Sequence, residues 1–193
     1  MNNIFLGNDL IIVTGLPRSG TSLIMQILKR IGVPILYENS KVPDEHNPHG
    51  YYEYERVKEI PVSNNWEWLK DYRGYAVKII SPILISIPID FPCRIIVTSR
   101  AIEEVIISQE KMIGTPKLSS EKEYLKSIYK KHMTILRKKI EKNPWVKTIE
   151  VNYNELIFYP YQNLEKLSSF LKIKINIEEV SKIIDPTLYR VRF

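Results

Sequence analysis

The sequence predicts an α/β protein: a P-loop-type parallel sheet covered by helices on both faces, a three-layer α/β/α architecture. Two observations carry this. An apolar run, Leu10-Ile11-Ile12-Val13, leads straight into Gly15-Leu16-Pro17-Arg18-Ser19-Gly20-Thr21-Ser22 and then into an amphipathic run, which reads as strand, glycine loop and helix. Further short apolar runs at 75–80, 93–98 and 146–151 alternate with segments of helical periodicity, the pattern of parallel strands joined by crossover helices. In such a sheet ligands bind beyond the carboxyl ends of the strands.

Gly15 and Gly20 bracket four residues, a spacing that lets backbone N–H groups and the positive end of the following helix converge on a phosphate-like anion. Nucleoside triphosphatases carry Lys after the second glycine; here that position is Thr21, and the fixed cation is Arg18 inside the loop. As Pro-Arg-Ser-Gly-Thr-Ser, the loop resembles the 5′-phosphosulfate loop of sulfotransferases that use 3′-phosphoadenosine-5′-phosphosulfate (PAPS), above all the form found in tyrosylprotein sulfotransferases and small bacterial relatives. The resemblance implies that Pro17, Arg18, Ser19, Gly20, Thr21 and Ser22 hold the 5′-phosphosulfate.

After the loop, Leu23, Ile24, Ile27, Leu28 and Ile31 recur at helical spacing, and Gly32 supplies a left-handed stop. Residues 33–37 read as a short extended piece, followed by a polar, proline-bearing stretch from Glu38 to Gly50, expected as a mobile loop over the site. Asn47-Pro48-His49-Gly50-Tyr51-Tyr52-Glu53 closes it with turn chemistry and is similar to a segment near the acceptor side of small sulfotransferases.

Tyr75 to Ile80 reads as a buried strand interrupted by Lys78, which either snorkels from the strand end or points its ammonium at a ligand. The surrounding string resembles the family's Lys-Asp-Pro strand end, with Ile79 and Ile80 in place of its acidic and neighbouring positions. Cys93 to Thr98 is the next strand, ending at Ser99-Arg100 before a helix whose stripe is Ile102, Val105, Ile106, Met112 and Ile113, with Ser108 on its flank. Arg100 and Ser108 are eight residues apart, the spacing of the pair that grips the 3′-phosphate in PAPS-dependent sulfotransferases. Arg suits that task because its planar donors take phosphate bidentately.

Ser120-Glu121-Lys122-Glu123 reads as a capping box opening a long helix to about Lys142, with Leu125, Ile128, Ile135 and Leu136 buried. His132 shares that face, so it receives a packing role. Val146 to Val151 gives another strand, and Tyr153-Asn154-Glu155-Leu156 with Pro160, Leu164, Leu167, Phe170 and Leu171 gives helices. This resembles the family's carboxyl-terminal segment, which places Tyr153 at the nucleotide, and Asp185 to Arg190 looks like its usual ending, with basic residues returning to the nucleotide.

The 193 residues suit a single domain over 1–193, without linker or low-complexity segment. The net charge of +6 and pI near 9.2 suit a polyanionic ligand; nucleic acid is not expected, since no nucleic-acid module appears. Cys93 is the lone cysteine, which excludes intrachain disulfides and cysteine-based zinc sites and points to a reducing compartment. Met1 to Asp9 lacks the pattern of a leader and no run reaches the length of a membrane span, so a cytoplasmic protein is expected.

The reaction this implies is sulfuryl transfer from PAPS to a hydroxyl or amine, with adenosine 3′,5′-bisphosphate (PAP) as product and no metal required. Arg18 and Lys78 would offset charge on the transferred group. The general base falls among Glu38, Asp44, Glu45, His46, His49 and Glu53, with Glu53 favoured and His46 next. Two other readings stay open: an ATP-dependent small-molecule kinase, which normally has the lysine after the second glycine and a metal ligand, and a catalytically inactive nucleotide-binding protein. Leu23 keeps the latter open, standing where many cytosolic sulfotransferases place a Trp near the adenine. The acceptor and the oligomeric state are not legible.

Overall fold

The computed structural model describes residues 9–38, 42–45, 47–189 and 191; His46 and Arg190 therefore lie outside the described residues. β1 (Leu10–Gly15) passes through the loop into α1 (Thr21–Arg30), followed by β2 (Ile35–Leu36), α2 (Glu55–Ser63), β3 (Ala76–Lys78) and α3 (Ser81–Ser86). Then come β4 (Cys93–Ser99), α4 (Ile102–Ile113), α5 (Ser119–Glu141), β5 (Val146–Asn152), α6 (Tyr153–Phe158), α7 (Pro160–Leu171) and α8 (Ile177–Ser181), with 3-10 turns at Glu67–Asp71 and Pro186–Leu188.

The strands form one sheet in the order β2-β3-β1-β4-β5, every pair parallel. Side chains alternate across the pleat, so Ile11 and Val13 enter a core with α1, α6 and α7, while Leu10 and Ile12 enter a second core with α2, α3 and α5. Helices thus cover both faces, as the sequence predicts. Pairing of Val13 with Lys78 and of Gly15 with Thr98 brings the carboxyl ends of β1, β3 and β4 together.

The strand expected over 75–80 is confined to Ala76–Lys78, because Ile80 already caps α3, where Pro82 occupies the first turn. The expected capping box is offset. The N–H of Leu118 donates to Glu121 Oε2 at 2.7 Å, so α5 starts at Ser119 and Glu121, rather than Glu123, closes its first turn. The buried face of α5 is also rotated from expectation. Met133, Leu136 and Ile140 are buried, whereas Ile128 and Ile135 are 40% and 47% exposed, since each lies one residue, about 100° of rotation, before a core position.

His132 does pack between helices. Its Nε2 lies 2.9 Å from the Ser81 hydroxyl at the start of α3, and burial holds its pKa below the ordinary histidine value. A buried imidazole resists protonation, so the unfolded chain takes up the proton first. The contribution of His132 to stability is then complete above about pH 6.5 and is lost as the pH falls through the folded value. Urea midpoints followed downward from neutral pH should fall less steeply for His132→Gln than for the wild type; equal slopes would remove His132 as a source of the dependence.

Candidate active site

The loop between β1 and α1 is built by close approaches. A Cβ on Gly15 would stand 2.3 Å from Thr98 Oγ1 and 2.5 Å from Ser19 Oγ, so only glycine admits the bonds those hydroxyls make. Ser19 Oγ donates to the Leu16 carbonyl at 2.6 Å and lies 2.7 Å from Thr98 Oγ1. Gly20 has φ +100° and its Cβ would fall 2.5 Å from Cδ2 of Tyr153. It also precedes α1 without giving a side-chain cap, so the first-turn N–H groups of the helix have no side-chain acceptor and point their partial positive charge out of the helix end.

Arg18 sits at φ +76°, and its Nε donates to Ser108 Oγ on α4 at 3.0 Å. Burial presses its pKa below the usual value; Tyr51 counters this, and the charge of Arg100 adds to it. Gln109, also on α4, donates to the Pro17 carbonyl at 3.0 Å and fixes the other side of the loop. Arg100, just past β4, pairs through Nε with Glu104 Oε2 at 2.7 Å, and its guanidinium lies 4.7 Å from the centre of the Tyr153 ring. The Tyr153 hydroxyl is pushed up by burial, with Arg100 and Arg18 opposing.

Lys78 ends β3 buried, 7% exposed, and does not snorkel to the surface. Its Nζ donates to the Tyr51 carbonyl and lies 3.6 Å from Glu53 Oε1, while the other oxygen of Glu53 meets Lys58 at 2.9 Å. The Tyr51 carbonyl also accepts from Ser22 Oγ at 3.3 Å. The Tyr51 hydroxyl donates to Asp44, 2.8 and 2.6 Å from its two oxygens; burial and this bond push its pKa up to about 12. Asn47 Nδ2 reaches Ser22 Oγ at 3.3 Å and the Gly50 carbonyl at 2.7 Å, tying the Asn-Pro turn to α1.

Arg18, Ser22, Asn47, Tyr51, Glu53, Lys78, Arg100, Ser108 and Tyr153 line one cleft of about 230 Å³ at the carboxyl ends of the strands. Of the residues expected at the site, Pro17, Arg18, Gly20, Thr21, Ser22, Glu53, Lys78, Arg100, Ser108 and Tyr153 line it. Ser19 does not: its hydroxyl turns inward to hold the loop. Arg100 and Ser108 share the cleft, but Ser108 is bonded to Arg18 and Arg100 to Glu104. Sequence reasoning missed Glu104, Gln109 and Tyr189; only the four-residue step from Arg100 to Glu104 at a helix start signalled any of them. Among the described residues no group of three or more His, Cys, Asp and Glu side chains can hold a metal ion, and no helix is long and apolar enough to cross a membrane.

A parallel sheet with a glycine loop after its central strand, and the side chains of Arg18, Lys78 and Arg100 on the cleft beside it, defines an α/β protein whose site has the chemistry to suit a polyanionic ligand. The chain belongs to the sulfotransferase domain family, whose sequence profile matches residues 8–191. Its fold is similar to that of mouse sulfotransferase SULT7A1, solved with PAP, at TM-score 0.54 and 17% identity over 92% of this chain. The match covers 63% of the mouse chain, so this protein spans less than two thirds of that length. The sulfotransferase domain of the Synechococcus PCC 7002 olefin synthase aligns at TM-score 0.53 and 17% identity, over 96% of this chain and 83% of that domain. The sulfotransferase domain of the curacin biosynthetic pathway aligns at 0.51 and 16%, over 88% and 76%. At these identities the likeness is one of fold. No curated protein sequence matches.

The tightness of the loop gives a direct check. Gly20→Ala forces a Cβ into the Tyr153 ring at a backbone angle that side chains rarely adopt, a penalty of about 1–3 kcal/mol. Its urea midpoint should drop accordingly; an unchanged midpoint would mean that the ring and loop yield freely.

Proposed function

We propose that the chain is a single sulfotransferase domain that moves a sulfuryl group from PAPS to a hydroxyl or amine. The observation that supports this best is the convergence of Arg18, Lys78 and Arg100 with the open amino end of α1 on one cleft. The fold similarity to a sulfotransferase solved with PAP supports the choice of nucleotide.

In this reading the amides at the start of α1, with Thr21 and Ser22, hold the 5′-phosphosulfate, and Arg100 takes the 3′-phosphate beside Tyr153. The acceptor's lone pair attacks sulfur, the bond from sulfur to the 5′-phosphate oxygen breaks, and the electron pair leaves on PAP. Arg18 and Lys78 offset the charge that builds on the bridging and equatorial oxygens. Lys78 is buried and Arg18 half-buried, and a fixed cation shielded in this way acts more strongly than in water and needs no reorganisation. Ser108 holds Arg18 in place through its 3.0 Å bond and so links the loop to the 3′-phosphate side. Glu53, on the cleft wall beside Lys78, takes the acceptor's proton.

A ligand that binds only the folded state raises the melting temperature by mass action. PAP should therefore stabilise the protein strongly, and ATP with magnesium weakly; the reverse order would favour a kinase. The role of Lys78 separates from packing in Lys78→Met, which keeps the apolar stem and removes the charge. Release of PAP from PAPS, assayed with a panel of hydroxyl and amine acceptors, should fall about a hundredfold or more, while affinity for PAP changes far less. Wild-type turnover in this variant would end the assignment.

A further inference from the structure

Glu104 is a buried carboxylate to which the mechanism above gives no part. It is 3% exposed, one helical turn beyond Arg100, and three donors from separate parts of the chain converge on it. Arg100 Nε donates to Oε2 at 2.7 Å, Asn154 Nδ2 to Oε1 at 2.9 Å and the Tyr189 hydroxyl to Oε1 at 2.6 Å. Asn154 also donates to the Tyr189 hydroxyl at 2.7 Å, closing the cluster on itself.

The consequence falls on Arg100. Its Nε edge is committed to Glu104, and its plane is held near the rings of Tyr153 and Tyr189, 4.7 and 5.4 Å from their centres. The opposite edge is less engaged: Nη1 reaches the Arg18 carbonyl at 3.4 Å and Nη2 the Val191 carbonyl at 3.3 Å, both at the long limit of a hydrogen bond. Arg18 and Val191 both line the cleft, so this is the edge turned toward the ligand.

We propose that Glu104 is a positioning residue that gives the enzyme its selectivity for a 3′-phosphorylated nucleotide. It clamps the inner edge of Arg100, Asn154 and Tyr189 clamp it in turn, and the two Nη groups are presented as a ready fork for the 3′-phosphate. The inference rests on the reading of the chain as PAPS-dependent with Arg100 at the 3′-phosphate. Two effects oppose each other here. The negative charge of Glu104 repels a nearby phosphate, so charge alone predicts tighter binding without it. Positioning predicts the reverse, because a bidentate contact depends steeply on angle and an unclamped arginine loses many rotamers when it binds. The guanidinium lies between the carboxylate and the cleft and screens the repulsion, so positioning wins. Gln keeps the volume but not the charge, so Arg100 loses the charge-assisted bond that holds its inner edge, even where Asn154 and Tyr189 turn to accept from the new amide.

The test is calorimetric titration of PAP and adenosine 5′-monophosphate into the wild type, Arg100→Ala, Glu104→Gln and Tyr189→Phe. The ratio of the two affinities reads the 3′-phosphate alone, which a general loss of packing would not change selectively. Glu104→Gln should weaken PAP by about tenfold and the monophosphate by less than about twofold. Tyr189→Phe should move the ratio in the same direction by a smaller factor. Should Glu104→Gln fail to fold, Tyr189→Phe decides, an unchanged ratio overturning the proposal. If Arg100→Ala leaves the wild-type ratio intact, the assignment of Arg100 fails and the inference falls with it. If Arg100→Ala abolishes the ratio while Glu104→Gln preserves or raises it, the nucleotide reading stands and the positioning role is overturned.

Discussion

The cleft depends on the loop after β1 keeping one shape, and that shape hangs on the hydroxyl of Ser19. Its two bonds, to the Leu16 carbonyl and to Thr98, pull the loop down onto the end of β4. Thr98 Oγ1 in turn meets the Thr14 carbonyl at 3.1 Å, so strand and loop are cross-tied. On the other side Tyr153, at the start of α6, packs against Gly20. The loop is gripped between β4 and α6, which is why its amides can hold an orientation without a ligand to organise them.

Around this frame each cation is matched to a partner that fixes its direction. Arg18 is bonded to a neutral hydroxyl, Lys78 to a carbonyl and a carboxylate, Arg100 to a buried carboxylate. A buried ion pair stabilises a fold little, because desolvation cancels most of the attraction. In the proposed reaction its value is geometric, since direction is what a transition state with charge spread over several oxygens requires.

The parts legible in the sequence are those encoded over short distances. The strand-loop-helix start, the buried strand over 93–98 and the loop residues from Pro17 to Ser22 follow from local pattern and glycine spacing, whereas Arg100, Ser108 and Tyr153 were legible only through resemblance to a family. The inward turn of Ser19 was not legible, because it is set by Thr98, 79 residues away. Nor was the bond of Ser108 to Arg18, which depends on how α4 lies over the loop 90 residues earlier. Ile128 and Ile135 misled for another reason: a helix with apolar residues on adjacent stripes offers two faces, and only packing against α3 and α4 selects one.

The contacts that make the cleft span most of the chain. Arg18 and Ser108 are 90 residues apart, Glu104 and Tyr189 85, Lys78 and Tyr51 27. Contacts of such separation carry the entropy of closing long loops and form late when a chain folds. During synthesis, β1 and α1 emerge from the ribosome far ahead of Tyr189, so the loop has its sequence long before it has its surroundings. A nascent chain can begin its sheet, yet the Arg100 cluster is complete only when residue 189 has arrived. Completion of the cleft thus waits on the whole span from β1 to Tyr189.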